Sequence, residues 1–458
     1  MFSAETYKAR RAELKKRLAR GVILFLGNDL VGYNYHDNEY EFRQDSTFLY
    51  FFGLNHDGLN AIIDIDNDRE IIFGDELTID DIVWTGNLPT LHEMAAQAGV
   101  DDVRPSADLK PYLEKARAAA APIHYIPYYR AEHDLKLLHF LDLLPGGSTP
   151  SLPLIKAIVD MRNHKTPEEI AEIEKACAVT AEMHKAAMAA ARPGLKEYEM
   201  KAIVENVAAR HGMHISFPTI ATVHGEILHN HSYGNTLESG QLFLLDAGAE
   251  TPMGYAGDMS STSPVDMKYT PRQKVIYDLQ QAASAAAVKM LRPGVPFYDV
   301  HLQAARTIAE GLKGLGLMKG DVEEAIHAGA HALFFPTGLG HMMGLDVHDM
   351  ENFGEVWVGY DGKPKSTVFG FKSLRLARPL EEGFVFTIEP GIYFMPELTQ
   401  LWKSEGRHKD FINYDEAEKW LGFGGVRNEE DYLVTADGHR RLGPGIPMTT
   451  EAVEAMKK

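Results

Sequence analysis

An internal repeat constrains the fold of this 458-residue chain more than any other feature of its sequence. The segment AAMAAARPGLKEYEM ends at Met200, and the similar segment AAVKMLRPGVPFYDV ends at Val300, an offset of 100 residues. In each copy, alanine-rich residues predict a helix, the Pro-Gly pair predicts its end, and the residues that follow predict a second helix. The repeat therefore predicts two similar α/β halves packed about a pseudo-twofold axis. Pockets form preferentially between such units, so a site would draw residues from both halves.

The stretch KTPEEIAEIEKA predicts the start of the domain that contains this repeat. Thr166 suits a helix N-cap, Pro167 suits the first helical position, and two glutamates fill the first turn. We therefore expect an N-terminal domain at residues 1–165 and a second domain at residues 166–458.

Three short apolar runs indicate strands in the N-terminal part of the chain: GVILFLG, NAIIDID and REIIFG. Helical stretches alternate with them, which predicts a mixed-sheet domain and an overall α/β (α+β) class. The aromatic block FRQDSTFLYFFGL favours a sheet core or an interface, and it offers an apolar surface for oligomerisation.

Composition excludes several classes of partner. The formal net charge is −19, which argues against nucleic acid, since phosphates require a basic face. It also disfavours an anionic membrane surface, and no apolar run approaches the roughly 20 residues of a spanning helix. The only cysteine, Cys177, permits no intramolecular disulfide, which fits a reducing, cytoplasmic location. Cys177 lies in a helical stretch, and we expect it to be a buried structural thiol.

Two aspartates in neighbouring strand-like runs indicate a site for a cation. Asp246 and Asp258 flank a turn that contains Pro252 and Gly254. If the hairpin is centred on Pro252, the two aspartates pair directly, with Cβ atoms about 5 Å apart, although a bulge would shift this register. Two carboxylates at that distance repel each other unless a proton or a cation lies between them.

Three further residues in apolar or glycine-rich settings complete a candidate ligand set. His341 lies within PTGLGHMMGLDVHD, Glu389 ends the apolar run FVFTIEP, and Glu429 lies within GGVRNEEDYLV. Oxygen-rich ligation with one imidazole suits Mn²⁺, Co²⁺, Fe²⁺ or Zn²⁺. Because five protein ligands exceed what one catalytic zinc needs, we expect two metal ions about 3.5 Å apart.

These motifs resemble the five-ligand signature of the pita-bread metallopeptidases. The segments that carry the resemblance are LLDAGAE, YAGDMSST, GLGHMMGLDVHD, IEPGIY and GVRNEED, and the pattern is closest to aminopeptidase P and prolidase. YEFRQDSTFLYFFGL also resembles the N-terminal domain of those enzymes. The resemblance implies a C-terminal pita-bread (creatinase/aminopeptidase) domain and a homodimer or homotetramer.

The resemblance also implies a role for each ligand. Asp246 binds one metal ion, Asp258 and Glu429 bridge the two, and His341 and Glu389 bind the other. Mn²⁺ is the most expected metal, with Co²⁺, Zn²⁺ or Fe²⁺ as alternatives. A water activated between the two ions attacks the carbonyl that precedes proline, and Glu389 carries its proton to the leaving amine.

Five further residues complete the site that the resemblance implies. His348 and His229 stabilise the tetrahedral intermediate or hold the substrate, and His231 is a weaker rival for the role of His229. Arg427 and Tyr393 resemble residues that line the proline pocket. For Arg427, a structural ion pair with a nearby carboxylate is an equal alternative.

Two departures from the family pattern concern this site. The family usually has one residue fewer between its two aspartates, so the hairpin is expected to hold an extra turn residue or a bulge. Many members have a histidine where this chain has Thr337. Because threonine does not titrate near neutral pH, a proton-relay role at that position is not expected here.

Three functions are consistent with these features. The first is an Xaa-Pro aminopeptidase, which cleaves the N-terminal Xaa-Pro bond of peptides. The second is a prolidase, which cleaves Xaa-Pro dipeptides with the same ligand set. The third is a non-catalytic relative that binds peptides or a protein partner, which would typically lack some of the ligands.

Overall fold

The computed structural model describes residues 1–35, 37–147 and 149–457. They divide into two units: Met1–Arg162 with Met350–Gly354, and Asn163–Asp349 with Glu355–Lys458. The predicted domain boundary, between residues 165 and 166, falls near this division and stays a prediction. None of the described helices is long and apolar enough to span a membrane.

A mixed sheet forms the centre of the first unit. Its strands are β1 (Val22–Leu26), β2 (Asn60–Asp64), β3 (Arg69–Phe73), β4 (Asp102–Arg104) and β5 (Ile123–His124), in the order β4-β3-β2-β1-β5. The three central strands are antiparallel. At the two edges of the sheet, β4 pairs in parallel with β3, and β5 pairs in parallel with β1. The predicted strands GVILFLG, NAIIDID and REIIFG form β1, β2 and β3, so the mixed-sheet prediction is confirmed.

The aromatic block is a buried helix and not an exposed surface. The helices of this unit are α1 (Ala4–Arg17), α2 (Ser46–Phe52), α3 (Ile79–Thr85), α4 (Leu91–Gln97), α5 (Leu109–Ala118), α6 (Ala131–Leu141) and α7 (Leu152–Asn163). Asp45 caps α2 through the backbone N–H groups of Thr47 and Phe48, and Phe51 packs on Phe25 of β1 with ring centroids 5.2 Å apart. The expected apolar surface is therefore wrong for this segment, because its rings fill the core.

The first half of the second unit places two helices against a small antiparallel sheet. Its elements are α8 (Pro167–Ala190), α9 (Glu197–Arg210), β6 (His214–Ile215), β7 (Ile220–Thr222), β8 (Leu242–Ala247), β9 (Ala249–Glu250) and β10 (Met259–Pro264). The sheet has the order β10-β8-β7, and β6 pairs with β9. Thr166 caps α8 and Pro167 is its first residue, as predicted.

The second half repeats the helix pair and adds further short elements. Its elements are α10 (Pro271–Val288), α11 (Phe297–Gly314), α12 (Val322–His327), α13 (Glu355–Val358), β11 (Val385–Ile388), β12 (Gly391–Tyr393), α14 (Pro396–Ser404), α15 (Tyr414–Ala417), β13 (Gly425–Arg427), β14 (Glu430–Val434), β15 (His439–Arg441) and α16 (Thr450–Met456). One sheet has the order β11-β14-β15, and β12 pairs with β13.

The duplicated helix pair confirms the repeat seen in the sequence. Gly194 lies in the first break with φ +94° and Gly294 lies in the second with φ +85°, a region that favours glycine. Thr270 caps α10 and is followed by proline, as Thr166 is at the start of α8. The same local chemistry therefore starts and interrupts both helix pairs.

Helix α8 packs directly on the chain that leads into β10. A Cβ atom at Gly257 would lie 2.8 Å from the Thr180 hydroxyl oxygen and 2.9 Å from the backbone of Ala176 and Cys177. Only a residue without a side chain permits this approach. The approach brings polar side chains of α8 beside the strands that carry Asp246 and Asp258.

Candidate metal centre

The predicted ligands lie on different elements of the second unit. Asp246 is in β8, Asp258 directly precedes β10, and His341 lies in a loop. Glu389 directly follows β11, and Glu429 lies between β13 and β14. The first half of the unit thus supplies the two aspartates, and the second half supplies the other candidates.

The register of the aspartate hairpin differs from the expectation. Asp246 pairs with Ser260, so its predicted pairing with Asp258 is wrong. The reason is the turn, which is closed by hydrogen bonds of Thr251 with Gly254 and Tyr255 and is therefore centred one residue after Pro252. When the centre of the turn moves by one residue, the partner of each strand residue changes by two residues. Because strand side chains alternate with a period of two, both aspartates still face the same side.

Four of the five predicted ligands converge in a buried cluster. Among the described residues, ligand atoms of Asp258, His341 and Glu429 all lie within 4.8 Å of one another. His341 Nε2 is 3.4 Å from Asp258 Oδ2 and 3.7 Å from Glu389 Oε1. These short distances place three carboxylates around one imidazole.

Asp246 joins the cluster through Arg427. Arg427 Nη2 donates to Asp246 Oδ2 at 2.7 Å, and Arg427 Nε donates to Ser260 Oγ at 2.9 Å. The Ser260 hydroxyl in turn donates to Glu429 Oε2 at 2.8 Å. One guanidinium and one hydroxyl therefore connect Asp246 with Glu429.

Burial and mutual repulsion disfavour the charged forms of the cluster carboxylates. The pKa values of Asp258 and Glu429 are raised well above their ordinary range, first by burial and then by neighbouring carboxylates. Burial also raises the pKa of Glu389 to about 7. Asp258 Oδ1 is buried without a hydrogen-bond partner among the described residues. Divalent cations satisfy all of these groups at once, so the residues present fit a metal centre.

The local hydrogen bond of His341 leaves its other nitrogen available to a cation. Nδ1 lies 3.1 Å from the carbonyl oxygen of Met342, which only accepts hydrogen bonds. Nδ1 therefore carries the proton, and Nε2 presents its lone pair to Asp258 and Glu389. Burial lowers the pKa of His341, which keeps the ring neutral as metal ligation requires.

The three additional histidines surround this centre to different degrees. The ring of half-buried His348 is 4.3 Å from that of His341, in an edge-to-face arrangement. His229 and His231 are exposed. The pKa of His229 is lowered by partial burial and by the charges of Arg427, His348 and His231, and the Asp246 carboxylate opposes this shift. His229 therefore shares the electrostatic environment of the centre, and the roles of all three histidines stay predictions.

Arg427 and Tyr393 are both buried beside the centre. Arg427 Nη1 donates to the Tyr393 hydroxyl at 2.9 Å, in addition to its ion pair with Asp246. The ion pair matches the structural alternative for Arg427, and substrate contact by either side chain stays a prediction.

Sequence reasoning assigned no role to two residues that act on the centre, Asp431 by hydrogen bonds and Arg375 by its charge. Asp431 accepts hydrogen bonds from the backbone N–H of Asp258 and from the thiol of Cys177, both at 3.1 Å. Cys177 is buried, as predicted. Arg375 donates to Glu355 at 2.7 Å, and its positive charge adds to the effect of burial on the pKa of His341. Asp431 follows two glutamates in the run NEED, which was the only signal for it; Arg375 had none.

Comparison with known proteins identifies the family. Residues 171–436 match metallopeptidase family M24, and residues 7–124 match the N-terminal domain of aminopeptidase P. The chain belongs to metallopeptidase family M24. The family expected from the motifs is therefore confirmed, and this M24 peptidase is a hydrolase.

Relatives of this M24 peptidase include enzymes of both expected specificities. The human Xaa-Pro dipeptidase is 31% identical over 90% of this chain and 84% of the human protein. The Xaa-Pro aminopeptidase of Escherichia coli (strain K12) is 29% identical over 99% of this chain and 98% of its own. The structure of an E. coli aminopeptidase P variant in complex with substrate matches at 28% identity, with a TM-score of 0.82 over 99% of this chain and 98% of that chain. The match confirms the pita-bread fold class.

The raised carboxylate pKa values predict how the stability of the metal-free protein depends on pH. A carboxyl group with a higher pKa in the folded state binds more protons when folded, so stability falls as pH rises above its unfolded pKa of about 4. For Glu389, whose folded pKa is about 7, this loss extends to about neutral pH. In thermal melts of chelated protein, we expect the Tm to fall between about pH 5 and about pH 8, and Mn²⁺ to raise the Tm more at about pH 8.

The Glu429→Gln variant is the control for this measurement, because it removes one buried carboxylate without changing its size. We expect a weaker dependence of Tm on pH in the chelated variant than in the chelated parent. Equal dependence in both proteins would contradict the assignment of this pH effect to the cluster.

Proposed function

We propose that this chain is a metal-dependent exopeptidase that hydrolyses the N-terminal Xaa-Pro peptide bond. The observation that carries the proposal is the buried cluster of Asp258, His341 and Glu429 with Glu389 beside it. The named Xaa-Pro aminopeptidase relative, which is similar over nearly the whole chain, supports the substrate class. The non-catalytic alternative is not retained, since every candidate ligand is present and the chain is a member of a peptidase family.

The predicted ligand set would hold two divalent cations, and Mn²⁺ is the metal we expect first. The set consists of Asp246, Asp258, His341, Glu389 and Glu429. When bound, such ions supply a water nucleophile that ionises near neutral pH and neutralise the charge that develops on the scissile carbonyl. The orphaned oxygen of Asp258 and the free lone pair of His341 Nε2 are the structural support for this assignment.

Glu389 is the best-placed group to move a proton during hydrolysis. Its side chain is 20% exposed, compared with 5% for Asp258 and His341, so it borders the solvent side of the cluster. A carboxylate on this side of the cluster is within reach of both a water and the leaving amine of a bound peptide, as an acid–base group must be. Glu389 therefore accepts the proton of the attacking water and donates it to the leaving amine.

The other polar residues hold the ligands and the substrate. Arg427 orients Asp246, and its bond to Tyr393 fixes the guanidinium. His348, next to His341, and His229 donate hydrogen bonds to the substrate carbonyl as its oxygen becomes negative. Arg427, Tyr393 and His231 are proposed to border the proline side of the substrate.

One observation favours prolidase activity as a second candidate. Arg375, whose charge contributes to the lowered pKa of His341, pairs with Glu355 through Nη1, and a guanidinium has further donors that suit the carboxylate of an Xaa-Pro dipeptide. A longer peptide has no carboxylate at that position. The human Xaa-Pro dipeptidase relative supports this candidate as well.

We also propose a cytoplasmic location and a homodimer or homotetramer. The single cysteine is a buried thiol, which fits a reducing compartment. Exposed apolar side chains lie on α3, where Trp84 is 87% exposed and Val83 is 73% exposed. Such a surface favours association between protein chains.

Removal of a metal ligand tests the catalytic proposal. We expect chelation, Asp258→Asn and His341→Ala each to lower kcat/KM on an Xaa-Pro peptide by more than the roughly 10–100-fold cost of losing an outer-shell partner. Asp278→Asn, at an exposed position of α10, is the matched control and should retain activity. Full activity in chelated, metal-free enzyme would reject the dinuclear mechanism.

Peptide length separates the two candidate activities. We expect the metal-reconstituted enzyme to cleave a Gly-Pro-Xaa tripeptide at least as well as Gly-Pro, since an aminopeptidase does not need a carboxylate after proline. If Arg375 binds that carboxylate, Arg375→Met will raise KM for the dipeptide alone. Cleavage of only the dipeptide would reject the aminopeptidase assignment and establish the prolidase alternative.

A further inference from the structure

A buried pair of amide side chains connects the segments that carry the candidate ligands. Gln280 on α10 is fully buried, and Asn428, which lies between Arg427 and Glu429, is 1% exposed. Asn428 Nδ2 donates to Gln280 Oε1 at 2.6 Å. Neither side chain titrates or belongs to the predicted ligand set, so burial of this pair needs another explanation.

Gln280 also bonds to Ser284 and Gln281 on its own helix, and three further hydrogen bonds of the pair reach ligand segments. Gln280 Nε2 donates to the carbonyl oxygen of Pro390, directly after Glu389, at 2.7 Å. It also donates to the carbonyl oxygen of Asn428, directly before Glu429, at 3.2 Å. Asn428 Oδ1 accepts from the backbone N–H of Thr262 at 3.0 Å, in the strand that follows Asp258. The pair thereby ties together the backbones beside Glu389, Glu429 and Asp258.

The internal repeat places an equivalent residue in the other half. Gln280 lies 100 residues after Thr180, and each residue stands at the same distance before the Pro-Gly break of its own half. The Thr180 hydroxyl accepts from the backbone N–H of Ala249, in the hairpin that carries Asp246 and Asp258, at 2.9 Å. Each half thus uses a polar side chain at the same distance before its Pro-Gly break to hold ligand-bearing backbone.

We propose that Gln280 and Asn428 are positioning residues that hold Glu389 and Glu429 at the spacing which two divalent cations require. The inference rests on the proposed function of the cluster as a metal centre. Carboxylates bound to a metal need support from neighbouring hydrogen bonds to keep within about 0.5 Å of the productive geometry. The amide pair supplies this support through the backbone, without adding charge to a site that is already crowded with carboxylates.

Apolar substitutions of the pair separate positioning from stability. Gln280→Met and Asn428→Leu keep side-chain size and remove the hydrogen bonds. Each single change also leaves a buried polar partner unsatisfied, which lowers stability. Gln273→Met is the matched control, because Gln273 is a buried glutamine on the same helix. Its side chain accepts from the backbone N–H of Thr270 and donates to the carbonyl oxygen of Gly240, and neither bond reaches a ligand segment.

The readouts are the dissociation constants of Mn²⁺ and the visible spectrum of Co²⁺ in each folded variant. We expect Gln280→Met and Asn428→Leu each to weaken metal binding by roughly 10–100-fold and to change the Co²⁺ spectrum. Because the two residues act as a pair, their effects should not add. The double variant should have about the same Mn²⁺ dissociation constant as the single variant that binds Mn²⁺ more weakly. Gln273→Met should lower the Tm and leave metal binding unchanged.

Two results distinguish failure of this inference from failure of the proposed function. If the wild-type protein binds neither Mn²⁺ nor Co²⁺, the metal centre itself is rejected, and the inference with it. If the wild type binds both metals and the variants show the same dissociation constants and Co²⁺ spectrum, the pair is only structural and this inference is wrong. If Gln280→Met does not fold, Asn428→Leu alone decides between these results.

Discussion

Electrostatic repulsion among buried carboxylates is the constraint on which the second unit depends. Asp258 and Glu429 lie beside His341 in a buried volume where water screens their charges little, and Glu389 borders this volume. Burial of several like charges costs far more free energy than a hydrogen bond returns, so the ionised cluster requires cations. Nearby groups reduce part of this cost, because Arg427 neutralises Asp246 and Ser260 donates to Glu429. The other elements of the second unit must therefore keep these carboxylates in place, although the carboxylates repel one another when no metal is bound.

The repeated helix pair explains how the chain supports such a cluster from two sides. Helix α8 holds the aspartate hairpin, since His184 contacts both Ser261 Oγ and the carbonyl oxygen of Ala247. Helix α10 holds the segments of the second half through Gln280. The ligands lie at strand ends and in loops, and rigid helices fix the backbone beside them. The ligands are therefore held in fixed positions by the helices, although they lie in loops and at strand ends where a substrate can reach them.

Local chemistry made much of this architecture predictable. The helix start at Thr166 and the Pro-Gly breaks depend on neighbouring residues alone, and the structure confirms both. The ligand candidates were found because carboxylates and a histidine are unusual in apolar or glycine-rich runs. The family resemblance and the repeat predicted that these ligand candidates would lie together. Four of the five candidates do so in the structure.

Long-range contacts were not predictable for a physical reason. Cys177 and Asp431 are 254 residues apart in the chain, and Gln280 and Asn428 are 148 apart, so no periodicity relates them. The hairpin register depended on which turn residue takes the left-handed conformation, and Gly254 takes it with φ +86°. The aromatic block was expected to form a core or an interface, because its composition suits both equally, and the structure confirms the core. The cap at Asp45, which makes it a helix, was present in the sequence.

The most direct test of the account is an anomalous-difference map from crystals of the protein loaded with Mn²⁺, measured near the manganese absorption edge. A dinuclear centre should give two peaks about 3.5 Å apart within the cluster, with Asp258 and Glu429 in contact with both. One peak should also contact Asp246, and the other should contact His341 and Glu389. A single peak, or peaks away from these residues, would contradict the dinuclear centre on which the proposed peptidase activity rests.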